Sequence, residues 1–181
     1  MTSEAVVLIG VIGSGKSTYA DLMRRLKYEI VNKDDIRRSM HDGEYVYDEK
    51  LEPQVRSTAH LLILQHLRDR KNICIDETNI TRAKRKELVD LIRSEFNPMQ
   101  VRITFVEFAR GPWCLERRHR DARGIPAQKW TEVYERMMRD FEEVKDDEGY
   151  SAYKLIDNKE NIIVVEGVVP QYFTREKRLD V

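Results

Sequence analysis

Short apolar runs alternate along the chain with longer segments of helical periodicity. The first run, residues 5–10, is almost wholly apolar, as is typical of a parallel strand buried on both faces. Further strands are predicted at residues 28–31, 72–76, 101–108 and 162–165. Strands that alternate with helices predict a doubly wound, parallel α/β sheet of about five strands, with helices on both faces.

The helical segments carry apolar residues three and four positions apart, which predicts one buried face on each helix. These helices are predicted at residues 17–26, 36–40, 51–70, 81–95, 112–122 and 127–144. In the third of them the apolar face comprises Val55, Ala59, Leu62, Ile63 and Leu67. Residues 41–47 are predicted to form a loop. Since no repeat or long linker divides the chain, residues 1–181 are predicted to form a single domain.

Composition narrows the class of protein. The 181 residues are 41% hydrophobic, and 32 basic side chains balance 32 acidic ones. A net charge of zero counts against a coat protein that binds nucleic acid by bulk phosphate neutralisation. Cys74 and Cys114 have apolar or aromatic neighbours and are predicted to be buried free thiols. With no apolar run of membrane-spanning length and no signal-peptide pattern, we expect a cytoplasmic protein without a membrane partner.

The strongest motif is GVIGSGKS at residues 10–17, which matches G-x-x-x-x-G-K-[ST] between a predicted strand and a predicted helix. Glycines let the backbone turn tightly and direct its N–H groups at phosphate oxygens, and the helix N terminus adds partial positive charge. In such a loop the lysine reaches the β- and γ-phosphates and the serine hydroxyl is a Mg²⁺ ligand. The sequence therefore predicts a site for a nucleoside triphosphate and Mg²⁺, formed by Gly13, Ser14, Gly15, Lys16, Ser17 and Thr18.

The segment NKDD at residues 32–35 spells the N-K-x-D of guanine-specific GTPases. It lies directly after the second strand, and no D-x-x-G follows the third strand, so we interpret the match as coincidence. Because the carboxyl ends of neighbouring parallel strands line one crevice, Asp34 and Asp35 are expected beside the phosphate-binding loop. An aspartate there could accept the proton of an attacking hydroxyl; alternatively, Asp34 could cap the following helix.

Two acids, Asp76 and Glu77, end the third strand in the manner of a Walker B segment. Because side chains alternate along a strand, only one of the two can face the crevice while the strand stays regular. The pattern alone leaves open which acid supports the metal.

A basic cluster follows the fourth strand. Arg117, Arg120 and Arg123 are spaced by three, so on one helix they would form a stripe along one side. An arginine-bearing helix in this place, at about residues 112–126, is typical of the lid of a small P-loop kinase. The alternative is a solvated basic face that pairs with the acidic residues 132–148.

Together these segments resemble the kinase domain of the bacteriophage polynucleotide kinase family, which phosphorylates 5′-hydroxyl ends in nucleic-acid repair. The resemblance covers about residues 5–143. It comprises, in the same order, the loop GVIGSGKST, the segment NKDDIRRS, ETN after the third strand, and RGIP at the end of the lid. The loop alone is widespread among proteins, whereas the later segments in combination are much more specific.

The resemblance implies an ATP- and Mg²⁺-dependent kinase in which Asp34 is the general base. It also implies that Lys16 acts on the transferred phosphate, that Arg37 contacts a phosphate of the acceptor strand, and that Arg123 stabilises the transition state. The family has a basic residue four positions before the arginine that corresponds to Arg123, and the resemblance implies that this residue contacts phosphate. This chain has His119 there, so Arg120 is expected to make that contact instead.

Two further departures concern the loop and the third strand. Ile12 replaces the family's usual proline in the loop. Glu77 and Thr78 match the acid and the threonine of the family's D-T-N, which would place both on the substrate side. On that basis Glu77→Gln is expected to harm activity more than Asp76→Asn.

A polynucleotide 5′-hydroxyl kinase that acts on DNA or RNA ends is therefore the leading hypothesis. The first alternative is a small-molecule kinase for a nucleoside, nucleotide, sugar or antibiotic, although Arg37 and Arg38 favour a phosphate-bearing acceptor. The second is a nucleotide-dependent binding module. Near the C terminus, Tyr172 and Phe173 could pack against a second copy of the chain in a homo-oligomer, or residues 168–181 could be a loose tail.

Overall fold

A computed structural model describes residues 2–157 and the backbone of residues 174–178. Its strands are β1 (Ser3–Ile9), β2 (Glu29–Val31), β3 (Ile73–Ile75), β4 (Val101–Phe108), β5 (Ala152–Ile156) and β6 (Thr174–Arg178). Its helices are α1 (Lys16–Arg25), α2 (Lys33–Ser39), α3 (Glu52–Arg68), α4 (Arg82–Arg93), α5 (Pro112–Arg120) and α6 (Ala127–Asp140). None of the helices in this described part has the length and apolar character needed to cross a membrane.

The strands form one sheet in the order β2-β3-β1-β4-β5-β6. The first five are parallel, and β6 pairs antiparallel with β5 at the edge. The predicted parallel α/β sheet with helices is thereby confirmed. β5 was not predicted because its middle residues are only half-buried and carry a lysine, so the segment lacks a continuous apolar run. The strand predicted at 162–165 lies outside the described residues, and β6 falls within the segment 168–181.

β1 is buried on both faces, as its apolar run predicts. Ala5, Val7 and Ile9 pack in a core cluster with residues of α3 and α4, whereas Val6 and Leu8 pack with Ala20 and Met23 of α1 on the other face. The sequence correctly predicted both cysteines to be buried free thiols.

The buried face of α3 differs slightly from the predicted one. Leu62 is 37% exposed, and Leu64 is buried in its place. Leu62 and Leu64 flank the buried Ile63, each about 100° from it around the helix, so the sequence could not decide which of them points inward.

A buried ion pair fixes the loop that follows β3. The side chains of Arg85 and Glu148 are 0% and 1% exposed, and Arg85 Nε donates to Glu148 Oε2 at 2.6 Å. Arg85 Nη1 also donates to the carbonyl oxygen of Asn79 at 3.2 Å. Asn79 in turn donates from Nδ2 to the carbonyl of Leu8 at 2.9 Å, and Gly10 N donates to the carbonyl of Thr78. These bonds hold the ends of β1 and β3 side by side, which positions the site described next.

Candidate active site

The loop between β1 and α1 turns at two glycines with left-handed backbone, Gly13 at φ +67° and Gly15 at φ +95°. A Cβ atom on Gly13 would lie 1.9 Å from the carbonyl oxygen of Cys114 in α5, so no other residue fits without displacing that helix. Val11 and Ile12 pack with Cys114 in a small apolar cluster. The phosphate-binding loop is therefore anchored directly to the helix that carries the lid arginines.

Lys16 lies inside this loop. Its Nζ donates to the carbonyl oxygens of Gly10 and Val11 at 2.9 and 2.7 Å. The pKa of Lys16 is lowered to about 8, chiefly by burial; the carboxylate of Asp76 opposes the shift, and the charge of Arg118 contributes to it. The ammonium group is thus still protonated at neutral pH, and it lies where loop N–H groups would receive phosphate oxygens.

We expect the Kd for ATP to rise as the pH increases through about 8, at up to about tenfold per pH unit. Phosphate charge favours protonated Lys16, so ATP binding above that pH must be accompanied by proton uptake. Isothermal titration calorimetry at several pH values, in buffers of different ionisation enthalpy, measures both quantities. Ser17→Ala keeps Lys16 and should show the same pH dependence; an unchanged Kd between about pH 7 and pH 9.5 would contradict the account.

Asp76 is the acid that faces the loop. It is buried, it accepts a hydrogen bond from Asn32 Nδ2 at 3.1 Å, and it is hydrogen-bonded to Ser17. Burial raises its pKa, against the opposing effects of Lys16, Asn32 and Ser17. Glu77 is directed elsewhere and pairs with Lys33 at 2.9 Å. The alternation of side chains at the end of β3 thus favours Asp76 for the metal.

The residues present fit a Mg²⁺ ion that is shared with a nucleotide. In the part of the chain that the structure describes, no group of three or more His, Cys, Asp or Glu side chains could hold a metal alone. Mg²⁺ in phosphate sites takes only one or two protein oxygens and completes its shell with phosphate and water. The hydroxyl of Ser17 and the carboxylate of Asp76, which are hydrogen-bonded to each other, provide such a pair.

Asp76→Asn should reduce kcat far more than Glu77→Gln, the reverse of the ranking that the resemblance suggested. The first change removes a charge beside Ser17 and Lys16, where we expect a loss of about 10²-fold, and the second removes only a pairing with Lys33. Steady-state kinetics over a range of Mg²⁺ concentrations would measure both effects. A larger loss in Glu77→Gln would return the metal role to Glu77.

Asp34 is held by a network of ion pairs at the start of α2. Asn32 is the N-cap of this helix and accepts from the backbone N–H groups of Asp34 and Asp35, so Asp34 is not the cap. Asp34 Oδ1 instead accepts from Arg37 Nη1 at 2.6 Å. Arg37 also donates from Nε and Nη2 to the two carboxylate oxygens of Glu52, each at 2.7 Å. The carboxylate of Asp34 is thus positioned by a guanidinium that is itself locked in place.

This arrangement gives Arg37 a positioning role that the sequence did not indicate. Its side chain is 13% exposed and all three guanidinium nitrogens donate to carboxylates, so in this structure Arg37 holds Asp34 in place, and its contact with an acceptor phosphate stays a prediction. The hydrogen bonds with Glu52 raise the pKa of Arg37. Glu52, the first residue of α3, belongs to no motif, and nothing in the sequence pointed to it.

A cleft of about 320 Å³ brings these elements together. Its polar lining includes Ser17, Asn32, Asp34, Arg38, Asp76 and Arg123. Glu77 and Thr78, which were expected to contact substrate, are not among its lining residues. Arg38 is 40% exposed and pairs with Asp35 at 3.0 Å, which makes it the more accessible of the two arginines in α2.

The lid arginines do not form the predicted stripe. Helix α5 ends at Arg120, and Arg123 lies beyond it with a left-handed backbone, at φ +51°. Arg120 is 72% exposed and comes no closer than 3.9 Å to Glu116, so the structure does not bring it to the loop. Arg123 is 49% exposed, pairs with Asp121 and lines the cleft.

Arg118 is the lid arginine whose charge acts on Lys16 of the loop, and the sequence did not single it out. Its guanidinium lies 4.9 Å from the centre of the Trp130 ring, and its Nε is buried without a hydrogen-bond partner among the described residues. Burial and the charge of Arg123 lower the pKa of Arg118, whereas Asp121 and then Asp34 oppose the shift; Arg118 in turn lowers the pKa of Lys16. Nη1 of Arg118 pairs with Asp121 at 3.4 Å, but its buried Nε–H has no partner among the described residues and is suited to an anionic ligand.

Comparison with known proteins gives a family and a fold. A family profile described as an AAA domain matches residues 6–144. Among curated proteins, no sequence matches the chain.

Solved structures with the same fold include two of a Pnkp1/Rnl/Hen1 assembly, one of them described as an RNA repair complex. They are 25% and 21% identical, with TM-scores of 0.53 and 0.63 over 64% and 76% of this chain. A fungal RNA kinase is 15% identical (TM-score 0.59, 87% of this chain and 74% of that one). A sugar kinase from Janibacter sp. is 21% identical (TM-score 0.53, 87% and 86%). The chain spans only 37% and 45% of the length of the two Pnkp1/Rnl/Hen1 chains.

Proposed function

Since the chain belongs to the AAA domain family and has the fold of a P-loop kinase, which implies ATP binding and typically Mg²⁺, we propose that it is a polynucleotide 5′-hydroxyl kinase. The proposal rests chiefly on one observation. The carboxylate of Asp34, locked by Arg37 and Glu52, lies in the same cleft as Ser17 and Asp76 of the phosphate and metal site. A positioned carboxylate beside a γ-phosphate is the arrangement needed to activate a hydroxyl.

In the proposed reaction the terminal hydroxyl gives its proton to Asp34 while its oxygen forms a bond to the γ-phosphorus. The bond from that phosphorus to the β–γ bridging oxygen breaks, and ADP leaves with the electron pair. The N–H groups of the loop, Lys16 and Arg118 stabilise the negative charge on the transferred group. Bound Mg²⁺ would neutralise charge on the β- and γ-phosphates, with Ser17 and Asp76 as its protein ligands.

The acceptor class is inferred from charge and from similarity. Arg38 and Arg123 line the same cleft as Asp34, and two guanidinium groups there favour an acceptor that carries phosphate. The likeness to chains of an RNA repair complex and to a fungal RNA kinase supports the same class. We also propose, from the motifs, that the chain is related to the phage polynucleotide kinase family. The acceptor is a DNA or an RNA end.

An acceptor panel tests the proposal. With γ-labelled ATP and Mg²⁺, we expect label on oligonucleotides with a free 5′ hydroxyl, and at least about 10²-fold lower kcat/KM with nucleosides and neutral sugars, which lack the neighbouring phosphate. Preferred labelling of a sugar or nucleoside would replace the proposal with a small-molecule kinase. Nucleotide binding without transfer to any acceptor would indicate a binding module.

A further inference from the structure

Two exposed tyrosines lie beside the proposed base. Tyr45 and Tyr47 follow α2 in an irregular segment and are 50% and 63% exposed, and Val46 between them is 39% exposed. Aromatic rings contribute most to stability when buried, so two half-exposed rings two positions apart are typical of a surface that binds a ligand. The reaction proposed above does not use them.

Arg37 connects both rings to the site. Its guanidinium carbon lies 6.0 Å from the centre of the Tyr45 ring and 5.8 Å from that of Tyr47, while its Nη1 is bonded to Asp34. These distances put both rings within about 10 Å of the Asp34 carboxylate. Burial, followed by the charge of Asp34, raises the pKa of the Tyr45 phenol, which is consistent with this closeness. Both tyrosines therefore lie on the acceptor side.

The surroundings of the rings indicate the chemistry of the ligand. Arg38 lies 5.9 Å from the Tyr45 ring centre and also lines the cleft, so a ring face and an accessible guanidinium are presented together. Aromatic faces next to cations are the elements that bind single-stranded nucleic acid, because bases stack on the rings and phosphates meet the cations. The position of Arg38 in the lining of the cleft fits a ligand that reaches from the rings to Asp34, whereas a protein partner docked on the rings alone would not need it.

We propose that Tyr45 and Tyr47 form a stacking platform for the first bases of a single-stranded acceptor, which holds the terminal hydroxyl near Asp34. This inference rests on the proposed 5′-hydroxyl kinase activity and names the part of the protein that selects polynucleotides. Because every base has a π face, the platform should be tolerant of sequence. It should act on the KM for the acceptor and leave the chemical step unchanged.

The test compares two oligonucleotides that differ only in the bases of the first two 5′ nucleotides, present in one and abasic in the other. The enzymes are the wild type, the double variant Tyr45→Ala/Tyr47→Ala, and Tyr45→Phe/Tyr47→Phe, which keeps the rings. Met99→Ala is the control, since Met99 is 84% exposed in the turn before β4, at the opposite end of the strands from the loop. The melting temperature of each variant shows whether it is folded.

For the oligonucleotide with bases, we expect the alanine variant to raise KM about tenfold or more, with kcat and the KM for ATP within about twofold of wild type. The phenylalanine variant and Met99→Ala should behave like wild type. Abasic ends should raise the wild-type KM similarly, and the alanine variant should lose nothing further on them.

Three results would overturn the platform. The first is an unchanged KM for the acceptor in the alanine variant, and the second is an equal rise in KM on both oligonucleotides in that variant. The third is a wild-type KM that is the same for both oligonucleotides, a result that needs no variant. In each case transfer to the 5′ hydroxyl would still stand. If the wild type labels no oligonucleotide, both this inference and the proposed function fail.

Discussion

Asp34→Asn is expected to lower kcat by about 10³-fold while the Kd for ATP stays within about threefold of wild type. An asparagine amide can still accept a hydrogen bond from Arg37, so the local packing is retained, but the side chain can no longer take a proton from the attacking hydroxyl. Single-turnover kinetics with saturating ATP and acceptor, together with calorimetric titration of ATP, would measure the two quantities separately.

The neighbouring aspartate provides a matched control. Asp35 lies on the same helix, lines the same cleft, is 61% exposed and pairs with Arg38, so Asp35→Asn makes the same chemical change at a carboxylate that Arg37 does not hold. It should alter kcat by less than about fivefold, since an exposed ion pair contributes little. Near-normal turnover in Asp34→Asn, or equal losses in both variants, would remove Asp34 from the role of base.

Arg118→Lys is expected to lower kcat by about 10²–10³-fold with little change in the KM for either substrate. A lysine keeps a cation near Trp130 and so limits damage to the lid, but it lacks the Nε–H that is buried without a partner among the described residues. The reason for the large effect is that Arg118 lies near both Lys16 and Asp34, where charge accumulates during transfer.

Arg120→Lys is the matched control for the lid, because Arg120 is 72% exposed and is in α5 with Arg118. Its kcat should remain within about threefold of wild type. Arg123→Lys should fall between the two, since Arg123 lines the cleft but is half-exposed. A greater loss in Arg120→Lys than in Arg118→Lys would restore the role that the motif assigned to Arg120.

Much of the fold could be predicted from the sequence because parallel strands buried on both faces leave a direct apolar signature. The runs that became β1 and β4 show this, with the predicted bounds of β4 matching those observed. β5 shows the limit: it lies next to the edge strand, its three middle residues are half-buried, and its pattern resembles that of a loop.

The loop of the site was equally visible, since its glycines are required by backbone geometry. Gly13 combines a left-handed backbone with a close approach to Cys114, and both requirements exclude a side chain. The parallel topology also predicted that residues after β2 and β3 would meet at one edge of the sheet, and Asp34 and Asp76 do line one cleft there.

What the sequence could not give were the partners of charged side chains. Arg37 was expected to contact a phosphate, and the sequence did not show that its Nε and Nη2 donate to Glu52, fifteen residues away and outside any motif. The spacing of three predicted that Arg120 and Arg123 lie along one side of the same helix, but α5 ends before Arg123. One signal could have found Arg118: it is four residues after Cys114, the residue of α5 that is buried against the loop, so both lie on the same helical face.

We propose that this P-loop kinase transfers phosphate to the 5′ hydroxyl of a nucleic acid. The most direct measurement uses γ-labelled ATP with two oligonucleotides of identical sequence, one with a 5′ hydroxyl and one with a 5′-deoxy end. The account predicts label on the first alone, at the 5′ end and removable by a phosphatase, and its loss in Asp34→Asn. No label on DNA or RNA of any length, or equal label on the 5′-deoxy strand, would contradict it.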